Sequence, residues 1–221
     1  MNKKLKIVIA DDHPYVVQAF KSTITMDHNL TVVATAPDGQ QVLEVVAKYQ
    51  PDVVFMDIRM PRMNGIEATR YLSNTKSGAK VICVTGFDDE DDLMNMLKAG
   101  AKGIILKTSE PSEILRAVEK VMNGEEYFCR DGMMVMIKRF MKNAPSVRKA
   151  EFDGYSSKEM EIIKLIGKQK TSKEISEELF LGEHTINYYR QRIMEKMNVK
   201  TSIGIVLYAL KNNMMSLNEL F

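Results

Sequence analysis

Four short apolar runs rich in β-branched residues each lead into a polar group, and this recurrence constrains the fold more than any other feature of the chain. Ile7-Val8-Ile9 leads to Asp11-Asp12, Val53-Val54-Phe55-Met56 to Asp57, Val81-Ile82-Cys83-Val84 to Thr85, and Ile104-Ile105-Leu106 to Lys107. Runs of this length without polar alternation read as strands buried on both faces, as parallel strands are. In an open α/β sheet such strands finish along one edge, and ligands bind there. Asp11, Asp12, Asp57, the Thr85 hydroxyl and the Lys107 ammonium are therefore expected to converge on one small site.

The rest of the first half supports that sheet. Strands read at about 5–10, 31–36, 53–57, 80–85 and 103–107, and helical periodicity fills about 14–26, 39–49, 64–74, 90–99 and 110–122. Turn residues fall between them, as at Pro37-Asp38-Gly39, Asn64-Gly65, Gly100 and Gly103. The alternation predicts a (βα)₅ doubly wound α/β domain over residues 1–123, with a parallel sheet and right-handed crossovers.

Beyond Gly124 the pattern weakens. Residues 124–153 read as a short helix with a methionine stripe (Met133, Met134, Met136, Met141), then a flexible linker through Asn143-Ala144-Pro145-Ser146. The stripe reads as a packing surface. Residues 154–221 are helical throughout, at about 157–167, 172–179, 183–198 and 202–213, with Ser156 or Ser157 and Thr171 or Ser172 as N-caps. The second and third helices, joined by Phe180-Leu181-Gly182, form a helix-turn-helix candidate within a small all-α domain.

The converging carboxylates suit Mg²⁺, which takes a few hard oxygen ligands and keeps several waters. Asp12 and Asp57 can coordinate it directly, Asp11 through water, and the backbone carbonyl of Arg59 lies just beyond Asp57 in the chain. Clustered carboxylates repel one another, so a divalent cation keeps them ionised. One of them can then attack phosphorus, while Lys107 neutralises a phosphoryl oxygen and Thr85 hydrogen-bonds another. His13, next to the acidic pair, reads as a loop residue rather than a catalytic base.

The ordered set Asp11-Asp12, Asp57-Ile58-Arg59-Met60-Pro61-Arg62-Met63-Asn64-Gly65, Thr85-Gly86 and Leu106-Lys107-Thr108 resembles the receiver domain of two-component response regulators. The resemblance covers residues 5–122 and implies that Asp57 accepts a phosphoryl group from a histidine kinase, with Thr85 and Lys107 sensing it. In one respect the chain departs from that family. The position three before the lysine, usually aromatic, is Ile104, so activation is expected to rely instead on the loop around Phe87.

Residues 155–210 resemble the LuxR-type helix-turn-helix, carried by Tyr155-Ser156-Ser157-Lys158-Glu159-Met160-Glu161-Ile162-Ile163, Thr171-Ser172-Lys173-Glu174-Ile175, Leu181-Gly182-Glu183-His184-Thr185-Ile186-Asn187 and Ile193-Met194-Glu195-Lys196-Met197-Asn198-Val199. The whole chain resembles a NarL/FixJ-class response regulator. On helix 183–198, Ile186, Tyr189, Ile193 and Met197 share one face, suited to docking on the core. Asn187 and Gln191 lie one turn apart on another face, where amides can pair with adenine in the major groove of double-stranded DNA. Tyr188, Arg190 and Arg192 can reach bases or phosphates, Thr185 opens the same helix, and Lys173 opens the preceding one, where a phosphate fits. Against the family pattern, Asn187 replaces a common lysine, Tyr189 a common histidine and Gly182 a common serine cap, which bears on target sequence more than on binding mode. In the last helix Ile203, Val206, Leu207 and Leu210 form a stripe that closes the core and leaves part for a homodimer, which two DNA half-sites require.

The chain reads as a cytoplasmic DNA-binding regulator rather than an enzyme, and its charge and cysteine use permit that reading. Residues 1–123 carry 15 Lys+Arg against 16 Asp+Glu, and residues 124–221 carry 16 against 13, so the positive bias lies in the helical half. Cys83 and Cys129 fall in different elements, as free thiols do in a reducing compartment, and no apolar stretch is long enough to span a membrane. A second reading, an Mg²⁺-dependent phosphohydrolase of haloacid-dehalogenase type, needs Asp-x-Asp after a strand, and Asp57-Ile58-Arg59 lacks the second carboxylate. A third is a regulator acting through protein contacts without phosphorylation.

Overall fold

A computed structural model describes residues 4–86, 90–143, 154–199 and 201–220. The chain divides into two compact units, Met1–Met136 and Ile137–Phe221.

In the first unit the strands are β1 (Leu5–Ala10), β2 (Leu30–Ala36), β3 (Val53–Asp57), β4 (Lys80–Thr85), β5 (Gly103–Leu106) and a short β6 (Tyr127–Phe128). They form one parallel sheet in the order β2-β1-β3-β4-β5-β6. The helices between them are α1 (Pro14–Thr25), α2 (Gly39–Tyr49), α3 (Gly65–Asn74), α4 (Glu90–Ala99) and α5 (Pro111–Met122). Strand order reverses beside β1, which leads toward β2 on one side and β3 on the other, and this opens a crevice at the strands' C-terminal ends.

Strand pleating sorts the core. Ile7, Ile9, Val53, Phe55, Ile82, Val84 and Ile105 cluster with Phe20 and Ile24 of α1 and Ile114 and Val118 of α5. Phe20 and Phe55 meet edge to face, with centroids 5.2 Å apart. The alternate residues Val54, Met56, Cys83 and Ile104 are buried on the opposite side. Gly65 fixes how closely α3 follows β3. A Cβ there would lie 2.0 Å from the Asp57 carbonyl oxygen, so no larger residue fits without moving the strand end that carries Asp57. The Asn64–Glu67 capping box then starts α3 at once.

The sixth strand is a departure from the five expected. Tyr127 pairs with Gly103 and Phe128 with Ile104, and the Cys129 N–H donates to the Ile104 carbonyl at 2.9 Å. Period-2 alternation has no meaning over two residues, which is why the aromatic pair Tyr127-Phe128 carries no strand signal. Helix α6 follows immediately as Arg130–Asn143, longer than the short helix expected. The linker expected after it, at residues 144–153, lies outside the described residues, as does Phe87.

The second unit contains α7 (Ser157–Gly167), α8 (Ser172–Leu179), α9 (Glu183–Met197), α10 (Ser202–Lys211) and a 3₁₀ turn (Leu217–Glu219). Capping boxes Ser156–Glu159 and Thr171–Glu174 open α7 and α8, and Gly182 caps α9 through its backbone alone. Helices α7, α9 and α10 pack on one another, and α8 packs on α9. Ile203, Val206, Leu207 and Leu210 are all buried, so the stripe expected to serve partly as a dimer face is taken up within the chain. Met214, Met215 and Leu220, past the end of α10, are buried as well.

Candidate functional site

The strand ends bring the chemistry of the first unit to one place. Asp11 follows β1, Asp57 ends β3, Thr85 ends β4, and Lys107 follows β5. Asp57, Thr85 and Lys107 line an open pocket of about 280 Å³, together with His13, Val16, Ile58, Arg59, Gly86 and Asp92. Asp11, Asp57 and Thr85 are each 4% exposed, whereas Asp12 is open to solvent.

Lys107 is the hub. Its Nζ lies 2.9 Å from both Asp57 Oδ2 and Asp11 Oδ2. The Asp57 contact is an aligned hydrogen bond, but Asp11 Oδ2 is a buried acceptor without an aligned donor. Asp57 Oδ1 accepts from the Ile58 N–H at 2.8 Å, so both oxygens of that carboxylate are held. The Lys107 N–H donates to the Thr85 carbonyl at 2.9 Å, which ties the β4 and β5 ends together.

Electrostatics point one way. Burial pushes the Asp57 carboxyl above its ordinary range; the hydrogen bond from Lys107 offsets this only in part, and the nearby Asp11 charge adds to the rise. Burial disfavours the Lys107 ammonium, yet its contacts with Asp57 and Asp11 outweigh that and hold its pKa above the ordinary lysine value. Burial leads the rise at Asp57, with the Asp11 charge adding to it, and the two carboxylates are what hold Lys107 up. Three carboxylates face one ammonium, and a divalent cation would balance the remainder.

The donor set fits such an ion. Asp11, Asp12, Asp57 and His13 each offer a ligand atom, and these atoms all lie within 4.8 Å of one another. His13 is the member that its sequence context did not reveal: its Nδ1 lies 3.0 Å from Asp11 Oδ1 and 2.8 Å from Asp12 Oδ1. Adjacency was the available signal, because Pro14 at the start of α1 turns the chain and folds His13 back over the two aspartates. Asp92 of α4 is a second addition, pairing with Arg59 Nε at 3.3 Å on the pocket rim. Arg59 lines the pocket.

Ile104 is fully buried and fills its position without an aromatic ring. Helix α6 approaches it so closely that a Cβ on Gly132 would lie 3.1 Å from Ile104 Cγ2 and 3.0 Å from Cys129 Sγ. Phe128, in register beside Ile104, brings a buried aromatic ring from the neighbouring strand.

In the second unit, α8 and α9 are joined by Phe180-Leu181-Gly182, with Phe180 in the left-handed region and exposed. Ile186, Ile193 and Met197 face inward and Tyr189 is half-buried. Lys173, Thr185, Asn187, Tyr188, Gln191 and Arg192 are exposed. Arg190 stands apart from them. It is half-buried, and its guanidinium donates to Ser202 Oγ at 2.7 Å and to the Lys170 carbonyl at 3.5 Å, tying α9 to the residues that open α8 and α10. Behind α9, Lys196 donates to both carboxylate oxygens of buried Glu159, at 2.7 and 2.9 Å.

Comparison with known proteins agrees with both halves. Residues 7–119 match the response regulator receiver domain, and residues 153–209 match bacterial regulatory proteins of the luxR family. The chain is 36% identical over 216 residues to the oxygen regulatory protein NreC of Staphylococcus epidermidis, covering 96% of this chain and 99% of that protein. Against NreC of Staphylococcus aureus the identity is 35% over 215 residues, with the same coverage. Among solved structures, the response regulator ChrA of a heme-sensing two-component system aligns with a TM-score of 0.56 at 27% identity, covering 97% of this chain and 100% of that one. RcsB of Salmonella typhimurium, at 22% identity and a TM-score of 0.59 over 94% of this chain and 98% of its own, shares the fold.

Proposed function

The chain belongs to the response regulators that join a receiver domain to a LuxR-type output domain, the phosphorylation-dependent transcription regulators of two-component systems, and we propose on that premise that Asp57 is its phosphoacceptor. The observation that carries this is the Asp57 carboxylate itself. It ends the central strand β3 in a pocket open to solvent, is held at both oxygens, and has the one ammonium of the pocket on it. An Asp57 oxygen attacks the phosphorus of a phosphohistidine on the kinase. The P–N bond breaks as the new O–P bond forms, and the histidine keeps the electron pair. Asp12, Asp57 and the Arg59 carbonyl would hold Mg²⁺, with Asp11 through water, and the ion when bound would neutralise charge on the transferred group. Lys107 exchanges its contact with Asp57 for one with a phosphoryl oxygen, and the Thr85 hydroxyl donates to another. The receiver expected over residues 1–123 is extended by β6, and residues 154–221 bind DNA.

The added phosphoryl carries roughly −1.5 to −2 charges, enough to bias a two-state element. In this reading it favours a dimer that presents two α9 helices to double-stranded DNA in the cytoplasm. Lys173 and Arg192 contact phosphates, and Asn187 and Gln191 read bases, with Thr185 and Tyr188 beside them. Arg190 supports the helix from behind. Incubation with acetyl phosphate and Mg²⁺ should add one phosphoryl group to the wild type and none to Asp57→Asn. Undiminished labelling of that variant would refute the assignment.

A further inference from the structure

We propose that His13 is an additional ligand at the acidic site, donating imidazole nitrogen to the cation and biasing the site toward a nitrogen-accepting divalent metal over Mg²⁺. This rests on the reading of the pocket as a divalent-cation site, and goes beyond it in assigning a ligand and a preference.

Three observations carry the proposal. The imidazole stands beside the carboxylates. Its Nδ1 lies 3.0 Å from an Asp11 oxygen and 2.8 Å from an Asp12 oxygen, and with Asp57 these four groups offer atoms that all fall within 4.8 Å. Its backbone is fixed there. The His13 N–H donates to Asp11 Oδ1 at 2.8 Å, and the His13 carbonyl accepts from Val16 and Val17 at 3.1 and 3.2 Å in the first turn of α1. Pro14 holds that turn, so the ring swings from an anchored base. Finally, Asp11 Oδ2 is a buried carboxylate oxygen with no aligned hydrogen-bond donor, although Lys107 Nζ stands 2.9 Å away. A buried acceptor in that state accommodates a cation directly or through a bound water.

The chemistry of the donors sets the preference. Mg²⁺ takes oxygen ligands in a near-ideal octahedron and is reluctant to shed water, so it gains little from a ring nitrogen. First-row transition cations accept imidazole readily while still tolerating carboxylates. Three carboxylates and one imidazole form a mixed oxygen–nitrogen set of the kind that Mn²⁺ or Fe²⁺ accepts and Mg²⁺ does not exploit. The ring is also largely solvent-exposed on its outer side, so it can pivot onto a cation without disturbing the core.

Mn²⁺ is the probe for the test, because its unpaired electrons report nearby nitrogen nuclei by pulsed electron paramagnetic resonance. In the full chain loaded with Mn²⁺, modulation from a directly bound nitrogen should be present in the wild type and absent in His13→Ala. Titration with each metal should show Mn²⁺ affinity falling roughly tenfold in His13→Ala, the scale on which metal sites respond even to loss of an indirect contact, while Mg²⁺ affinity stays nearly unchanged. His13→Gln, which keeps an oxygen donor and removes the nitrogen, should lose the modulation as His13→Ala does. Wild-type protein that binds Mn²⁺ without nitrogen modulation overturns the proposal, and so does an unchanged ratio of Mn²⁺ to Mg²⁺ affinity in His13→Ala. If the wild type binds neither ion, or if Asp57→Ala binds both as the wild type does, the cation-site reading beneath it fails as well.

Discussion

Replacing Lys107 by methionine should turn the receiver into a fold whose stability depends on metal and on acid. Methionine keeps most of the apolar stem and removes only the charge, so the response isolates electrostatics. The ammonium lies 2.9 Å from two carboxylates whose side chains are 2% and 5% exposed, while its own side chain is 20% exposed. Removing one partner of a buried pair costs about 3–5 kcal/mol, and partial solvation of the lysine lowers that here to about 2–3 kcal/mol. A second limit comes from the Asp57 proton. Its carboxyl already sits above the ordinary value of 3.8, with burial as the largest cause, and loss of Lys107 raises it further. A carboxyl whose pKa is raised by folding favours the native state at low pH, and that contribution is lost as pH rises through its folded value. The deficit of the variant against wild type should therefore be small near pH 4 and grow toward neutrality, because uptake of a proton by Asp57 relieves it at about 1.4 kcal/mol per pH unit below that value. Mg²⁺ should relieve it too, by supplying the missing positive charge. Amide exchange of β3 peptides, followed in EDTA and in Mg²⁺ and corrected for the intrinsic rate at each pH, reads receiver opening separately from the output domain. At pH 7.5 in EDTA the variant should exchange about 30- to 150-fold faster than wild type, the equivalent of about 2–3 kcal/mol. A deficit independent of pH, or Mg²⁺ protection no greater in the variant than in the wild type, would show that the excess charge assigned to this pocket is not there.

Three further outcomes follow from the geometry. Lys196→Met strips buried Glu159 of its main cation and should destabilise the output domain by about 2–4 kcal/mol in thermal unfolding at pH 7; because pairing with Lys196 and hydrogen bonds from Ser156 outweigh burial and hold the Glu159 carboxyl below its ordinary value of 4.5, its contribution is present above that value and fades as the solution is acidified, so the deficit should shrink in acid. Lys173→Ala and Arg192→Ala should weaken DNA binding to all sequences and each lower its salt slope by about one, whereas Asn187→Ala and Gln191→Ala should relax sequence preference by about 1–3 kcal/mol in binding selections. Ile104→Tyr meets Gly132 and Cys129 rather than an open face, so it should cost about 1–3 kcal/mol of overpacking and speed exchange of the Cys129 amide, which is bonded to the Ile104 carbonyl; an unchanged rate would mean that α6 yields freely.

The receiver was legible because its signals are local. An apolar run followed by Asp57, Thr85 or Lys107 states both a buried strand and what stands at its end, and parallel topology brings those ends together without further information. The same holds in the helical half for Ile186, Ile193 and Met197, whose spacing alone places them inward. Where the reading fell short, the deciding contact was long-range or a matter of side-chain direction. Arg190 has the spacing of a DNA contact, but Ser202 and the Lys170 carbonyl claim its guanidinium, and neither is visible from the periodicity of α9. The stripe on α10 has the spacing of a dimer face, but residues beyond the helix end, Met214, Met215 and Leu220, are buried along with it. Ile104 shows the limit most clearly. Taken alone it is a missing ring, and the natural search for a substitute runs to the nearest aromatic in sequence, Phe87. The sheet adds what the sequence did not show, since β6 sets Phe128 beside Ile104 and α6 lies so close that a Cβ on Gly132 would be 3.1 Å from Ile104 Cγ2. The first half of the β5 edge, Gly103 and Ile104, is paired with β6, in the segment that follows α5. Backbone hydrogen bonds thus run from β4, which ends at Thr85, to β5, and from the first half of β5 to β6.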